Sequence, residues 1–148
     1  MKENNFASKA AMFFLVSVLF LNIFCEPGSG QKAPTPKEAA AAGTVLVTNN
    51  LNLDFSRHLI TFIELGADKC IPCKAMQPIM KEIAAEYKGK VQVVFYDVWK
   101  DPEPARKYGI QLIPTQVFID KNGKEVFRHV GLFPKDELVA FLKKQGVD

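Results

Sequence analysis

The stretch Gly66-Ala67-Asp68-Lys69-Cys70-Ile71-Pro72-Cys73-Lys74 constrains this chain more than any other. Before it runs Leu59-Ile60-Thr61-Phe62-Ile63-Glu64-Leu65, rich in β-branched and aromatic residues, which reads as a buried strand. After it, Met76, Ile79, Met80, Ile83, Ala84 and Tyr87 recur at the spacing of an amphipathic helix. The two thiols therefore fall at a strand-to-helix junction. Cys70 stands just outside the helix and Cys73 in its first turn. Pro72 suits that place, because an early helical position needs no backbone N–H partner. Pro78 lies inside the helix and is expected to kink it. Gly89 is expected to cap its end.

The chemistry follows from the position. Orphan N–H groups and the helix dipole stabilise an anion at a helix N-terminus. Lys69 and Lys74 add positive charge. A thiolate is favoured at Cys70, and the thiolate is the nucleophile. Cys73 is close enough to close a small disulfide ring at little cost in loop entropy. Two structural cysteines, or half of a zinc site, are the other readings. A structural zinc site takes about four ligands, and the chain's 3 cysteines leave no second pair. With a strand and a helix on either side, redox cycling is the favoured reading.

Further motifs follow in order. They are Lys107-Tyr108-Gly109-Ile110, Ile113-Pro114-Thr115, the turn Lys121-Asn122-Gly123-Lys124, and Val130-Gly131. Together with Cys-x-Pro-Cys-Lys and Pro78, from about Leu59 to Gln145, they resemble thioredoxin. Val91–Val98 is a second strong strand, and Pro102–Tyr108 a short helix closed by Gly109. Thr115–Asp120 and Glu125–Val130 flank Asn122-Gly123, a hairpin turn. Pro134 starts a last helix with Leu138, Phe141 and Leu142 inward. The implied fold is α/β, thioredoxin-like, over 44–148: a central mixed β-sheet with helices on both faces. Thr44–Thr48 is strand-like, Asn49-Asn50 reads as a turn, and Leu51–His58 is ambiguous. The family opens with a strand and a helix here, and these residues do not match it one by one.

The resemblance extends to the site. Glu64 stands where the family has an aspartate that serves the second cysteine's proton. Strand alternation puts Phe62 and Glu64 on one face, Ile63 and Leu65 on the other. A buried carboxyl has a raised pKa and can take the Cys73 proton; an edge-strand glutamate in water is the alternative. The family's basic partner for that carboxyl is a lysine, and here the position is Phe95. The family's two aromatic positions near the motif are Gly66 and Lys69. Sequence alone favours a trans Ile113–Pro114 bond, whereas the resemblance implies a cis bond beside the two cysteines. A cis Pro114 frees the Ile113 backbone to pair with an extended substrate segment. Ile113, Pro114, Thr115, Ile71 and Pro72 are the expected substrate contacts.

The first thirty residues read differently. Lys2 and Lys9 precede an apolar run from Ala10 to Phe24. A spanning helix needs about 20 apolar residues, a signal-peptide core about 7–15. Residues 1–30 read as a signal peptide or membrane-targeting segment, with cleavage after Gly30. Cys25 raises lipid anchoring as an alternative, although Asn22-Ile23-Phe24 lacks the small residue such signals carry. Residues 31–43, with Pro34, Pro36 and the run Ala39–Ala42, read as a linker followed by a short helix. The remaining 44–148 form one domain, and 48% apolar residues suffice for one core. The 19 basic and 16 acidic residues are scattered, which argues against a nucleic-acid surface.

The expectation is an exported thiol–disulfide oxidoreductase, in a compartment such as the bacterial periplasm, acting on protein disulfides as a monomer. No dissociable cofactor is implied, since the Cys70–Cys73 pair carries the electrons. Pro72 resembles reducing members, and export would then require a membrane electron donor, because that compartment has no reducing buffer. The alternative is an exported copper-binding module on the same fold, with His129 as the third ligand. Copper-binding relatives space their cysteines by three residues rather than two.

Overall fold

The computed structural model describes residues 43–148. Residues 1–30, expected to be a targeting segment and including Cys25, and residues 31–42 of the expected linker lie outside the described residues. In chain order the elements are β1 (Leu46–Val47), a 3-10 turn (Phe55–Arg57), β2 (Ile60–Gly66), α1 (Ile71–Glu86), β3 (Val91–Asp97), α2 (Glu103–Lys107), β4 (Thr115–Asp120), β5 (Glu125–Val130) and α3 (Lys135–Lys144). The sheet order is β1-β3-β2-β4-β5. β3 runs parallel to β1 and β2, while β4 is antiparallel to both β2 and β5. The sheet is therefore mixed, as expected.

Every residue of β2 and β3 is buried. Both faces of these strands are covered, which explains why they read as near-continuous apolar runs. On one face Phe62, Val93, Phe95 and Phe118 pack against Met76, Met80 and Ile83 of α1 and Leu138 and Leu142 of α3. On the other, Ile63, Leu65, Val94, Tyr96 and Val117 meet Ala105 of α2, Tyr108 and Ile110. Phe118 anchors the first face, stacked on Phe62 at 4.9 Å and edge-on to Phe141 at 4.8 Å between ring centroids. Such pairs add about 0.5–1.5 kcal/mol each beyond area burial.

The hairpin has the expected bounds. Asp120 Oδ1 accepts from the Asn122 and Lys124 amides, which closes the turn. Two elements differ from expectation. α1 ends at Glu86 with Tyr87 as its cap residue. Gly89 instead turns the chain into β3 at φ +78°, while Lys90 and Val91 both donate to the Tyr87 carbonyl. Its left-handed backbone serves the turn rather than the helix end. The Thr44–Thr48 strand is reduced to Leu46 and Val47. Beyond it the ambiguous stretch 51–58 forms a loop whose Leu51, Leu53 and Phe55 cover the second face. The Tyr96 hydroxyl donates to the Asn50 carbonyl at 2.6 Å and holds this loop down.

Candidate active site

Cys70 is the N-cap residue of α1, and its sulfur accepts from the Cys73 amide at 3.3 Å. The two cysteines form a disulfide with their Cα atoms 5.2 Å apart. Cys70 is 8% exposed and Cys73 wholly buried. Of the two, only Cys70 keeps any exposure to solvent. The helix N-terminus aims an amide at its sulfur, an arrangement that favours its thiolate once the disulfide is reduced.

Four charged groups surround the Cys70 side of the helix. Lys100 pairs with both Asp68 and Asp97. Burial works against the Asp97 charge, but bonds from the Lys100 side chain and from the Asp68, Lys100 and Trp99 amides outweigh it and hold its carboxyl low. Lys69 is exposed and makes no ion pair among the described residues. With Asp68, Asp97, Lys100 and the exposed Trp99 it lines an open cleft of about 300 Å³.

Behind the disulfide the sheet brings β2, β3 and β4 into one row. Glu64 lies opposite Phe95 on one side and Gln116 on the other. Glu64 is wholly buried, so the water-facing alternative is excluded. Gln116 Nε2 donates to Glu64 Oε2 at 2.9 Å, while Glu64 Oε1 has no partner. Burial raises the Glu64 pKa to about 8, with the Gln116 bond acting weakly in the opposite direction. Gly66 is the next residue of β2 on the same face. A Cβ there would lie 3.3 Å from Cys73 Sγ, 3.2 Å from Cys73 Cβ and 3.1 Å from Phe95 Cε2. The missing side chain lets the disulfide lie against the strand. Glu64 thus precedes Gly66 on this face by one pleat repeat, about 7 Å along the strand.

The Ile113–Pro114 bond is cis. Ile113 is half-buried and packs against Ala67 and the two cysteines. Its backbone N–H and carbonyl have no partner among the described residues. Pro114 accepts from the Gly131 amide at 2.8 Å, which ties this loop to the segment after β5. Ile71 is 82% exposed at the disulfide's rim, and Pro72 beside it is exposed. Thr115 is buried, and its hydroxyl donates to the Leu112 carbonyl at 2.7 Å. Its side chain shapes the loop rather than the surface. The structure adds exposed Leu112 in the first of these loops, Val130 at the end of β5 and Leu132 in the segment after it. Sequence inspection missed them, since isolated apolar residues in loops signal nothing until the loops are joined.

His129 does not approach the thiols as a ligand. Its ring stacks on Phe133 at 4.3 Å, and its Nε2 faces the Leu132 carbonyl at 3.2 Å. Among the described residues no group of three or more His, Cys, Asp or Glu side chains is placed to hold a metal ion. The copper reading gains no support from this arrangement.

Residues 44–144 match the family model described as thioredoxin. Thioredoxins of Staphylococcus aureus are 36% identical over 85 residues, covering 57% of this chain and 81% of theirs. A point-mutant thioredoxin from Halobacterium salinarum superposes with a TM-score of 0.64 at 25% identity, over 72% of this chain and 93% of that one. A thioredoxin from Malassezia sympodialis does so with a TM-score of 0.58 at 26% identity, over 67% and 88%.

Proposed function

The chain belongs to the thioredoxin family and is a thiol–disulfide oxidoreductase working through Cys70 and Cys73; from that premise we propose that it reduces protein disulfides outside the cytoplasm. The observation that carries the reading is the asymmetric pair itself, an accessible sulfur at a helix N-terminus joined to a buried one. The Cys70 thiolate attacks a substrate disulfide. A Cys70–substrate bond forms, and the first substrate thiolate leaves. The Cys73 thiol then passes its proton to the Glu64 carboxylate and attacks the Cys70 sulfur. The intramolecular disulfide forms and the second substrate thiolate departs. The substrate has gained two electrons and the enzyme has lost them.

Glu64 suits both directions of this cycle. A base works best with a pKa near the working pH, and burial has raised this carboxyl to about 8. When a donor reduces the enzyme again, the protonated carboxyl returns the proton to Cys73. Its partners are fewer than in the family, because apolar Phe95 replaces the lysine.

The free backbone of Ile113 supports docking of an extended segment by main-chain hydrogen bonds. Ile71 and Pro72 on one side, and Leu112, Val130 and Leu132 on the other, would meet that segment's side chains. Pro114 and Thr115 hold the loop. Export rests on the apolar run from Ala10 to Phe24 behind Lys2 and Lys9. A membrane protein would then supply the electrons to a monomeric enzyme. Reduced protein mixed with a disulfide-bonded protein such as insulin tests the reading. One Cys70–Cys73 disulfide should form for each substrate disulfide lost, much faster than with dithiothreitol alone. A rate no greater than that of dithiothreitol would sink it.

A further inference from the structure

We propose that Gln116 is a positioning residue of the resolving step, holding the Glu64 carboxyl behind Cys73 and tying it to the substrate-docking loops. This rests on the reading of Glu64 as the group that takes the Cys73 proton. Gln116 is wholly buried on β4, directly opposite Glu64. Its Nε2 makes two bonds, to Glu64 Oε2 at 2.9 Å and to the Gly131 carbonyl at 3.0 Å. Both acceptors lack protons of their own when Glu64 is ionised, so the amide nitrogen, not the oxygen, must face them. Gly131 in turn donates to the Pro114 carbonyl. One side chain therefore connects the proton acceptor to both loops that flank the disulfide.

The arrangement has a chemical consequence. A donor held on Oε2 stabilises the carboxylate form, the form that accepts a proton. It also occupies Oε2 and leaves Oε1 without a partner. The proton's destination is thereby set at Oε1. Few other groups can do this work. α1 contributes Cys73 to this face, and β3 contributes apolar Phe95. Asp97, one pleat further along β3, is already engaged by Lys100 and three amides. On β5, His129 lies opposite Gln116, but its ring is stacked on Phe133 and its Nε2 faces the Leu132 carbonyl. A leucine at 116 would satisfy the buried strand as well as glutamine does, without leaving a glutamine oxygen unpartnered.

Stopped-flow oxidation of the reduced full chain, carrying Cys25→Ser in every variant so that Cys70 and Cys73 are its only thiols, by the aromatic disulfide dithiobis(nitrobenzoic acid) separates the two steps. Cys70 attack releases the first coloured thiolate, and Cys73 resolution the second. In Gln116→Leu the first phase should be unchanged. The second should slow about tenfold at neutral pH, and its pH profile should move about one unit towards alkali, since hydrogen bonds to charged groups are worth that much. Glu64→Gln should slow the same phase, and the double variant should be no slower than Glu64→Gln alone. Gln116→Met, which keeps the length and removes both donors, carries the same expectation if Gln116→Leu fails to fold. A second phase in the Gln116 variants that matches the wild type, or is scaled equally at every pH, would overturn the proposal while a slow Glu64→Gln kept Glu64 in place. An unchanged second phase in Glu64→Gln would overturn the Glu64 reading and this one with it.

Discussion

The Phe95 ring stands 3.1 Å from where a Gly66 side chain would begin. These are two of the positions, with Lys69, at which the resemblance to the family breaks down around the active site. The family has an aromatic residue at the first and a lysine at the second. Here the bulk has moved from β2 to β3, and the two changes occupy one space. The result is an apolar wall behind the disulfide, and among the described residues no cation pairs with Glu64.

Gly66→Ala should therefore destabilise the oxidised protein by about 1–2 kcal/mol. Its new methyl would press on Cys73, fixed by the disulfide, and on a Phe95 ring that is 3% exposed. Overpacking costs about 1–3 kcal/mol, and the entropy lost by replacing glycine offsets about 0.4–1 kcal/mol. Adding Phe95→Leu should relieve the clash, so the double variant loses less than the two single losses combined. Urea unfolding gives the three values. A neutral or stabilising Gly66→Ala would show that the wall has room to spare.

Glu64 predicts a pH dependence of stability. Its folded pKa is raised from the ordinary 4.5 to about 8, with burial as the main cause. The folded state thus holds this proton more tightly than the unfolded chain does. The stability it contributes is full below the unfolded value and is lost as pH rises through the folded one. Glu64→Gln has no proton to lose. The variant's melting temperature, measured with the disulfide intact, should gain on the wild type between about pH 5 and about pH 8 and run parallel above. In free energy the gain should correspond to a few kcal/mol. A constant difference across that window would mean that the carboxyl is ionised throughout.

How much was legible beforehand depended on whether a pattern was local. The hairpin followed from Asn122-Gly123, and β2 and β3 from their apolar runs. The place of Cys70 at the helix start followed from Pro72 and the spacing after it. Gln116 was not legible as a partner of Glu64, because 52 residues separate them and only the β2–β4 register joins them. Residues 51–58 read as ambiguous for another reason. Leu51, Leu53 and Phe55 alternate as in a strand, yet they cap the sheet's second face as a loop. Gly89 carried a true turn signal assigned to the wrong feature, three residues beyond the end of α1.

Export makes a prediction about mass. The apolar run after Lys9 and the small residues Gly28-Ser29-Gly30 predict a mature chain that begins after Gly30 and has lost Cys25. Cys70 and Cys73 would then be its only thiols. Intact-mass measurement on protein from its native host checks this. A terminus at a lipid-modified Cys25 would replace cleavage with anchoring, and an unprocessed Met1 would contradict both.

Cys73→Ser should trap the natural substrate. The accessible Cys70 sulfur, capped by the Cys73 amide, performs the first attack and forms a mixed disulfide. Release requires a thiolate within reach of the Cys70 sulfur, and among the described residues Cys73 is the cysteine placed there. Serine fills nearly the same volume and cannot break a disulfide. The adduct should accumulate as a heavier band that disappears with reductant. Cys70→Ser should give no such band, because Cys73 is wholly buried beneath the helix start. Adducts in Cys70→Ser alone would reverse the two assignments. The trapped protein should present an extended segment beside its cysteine, able to pair with the Ile113 backbone. A folded helix around that cysteine would instead rule out strand-like docking at the cis-proline loop.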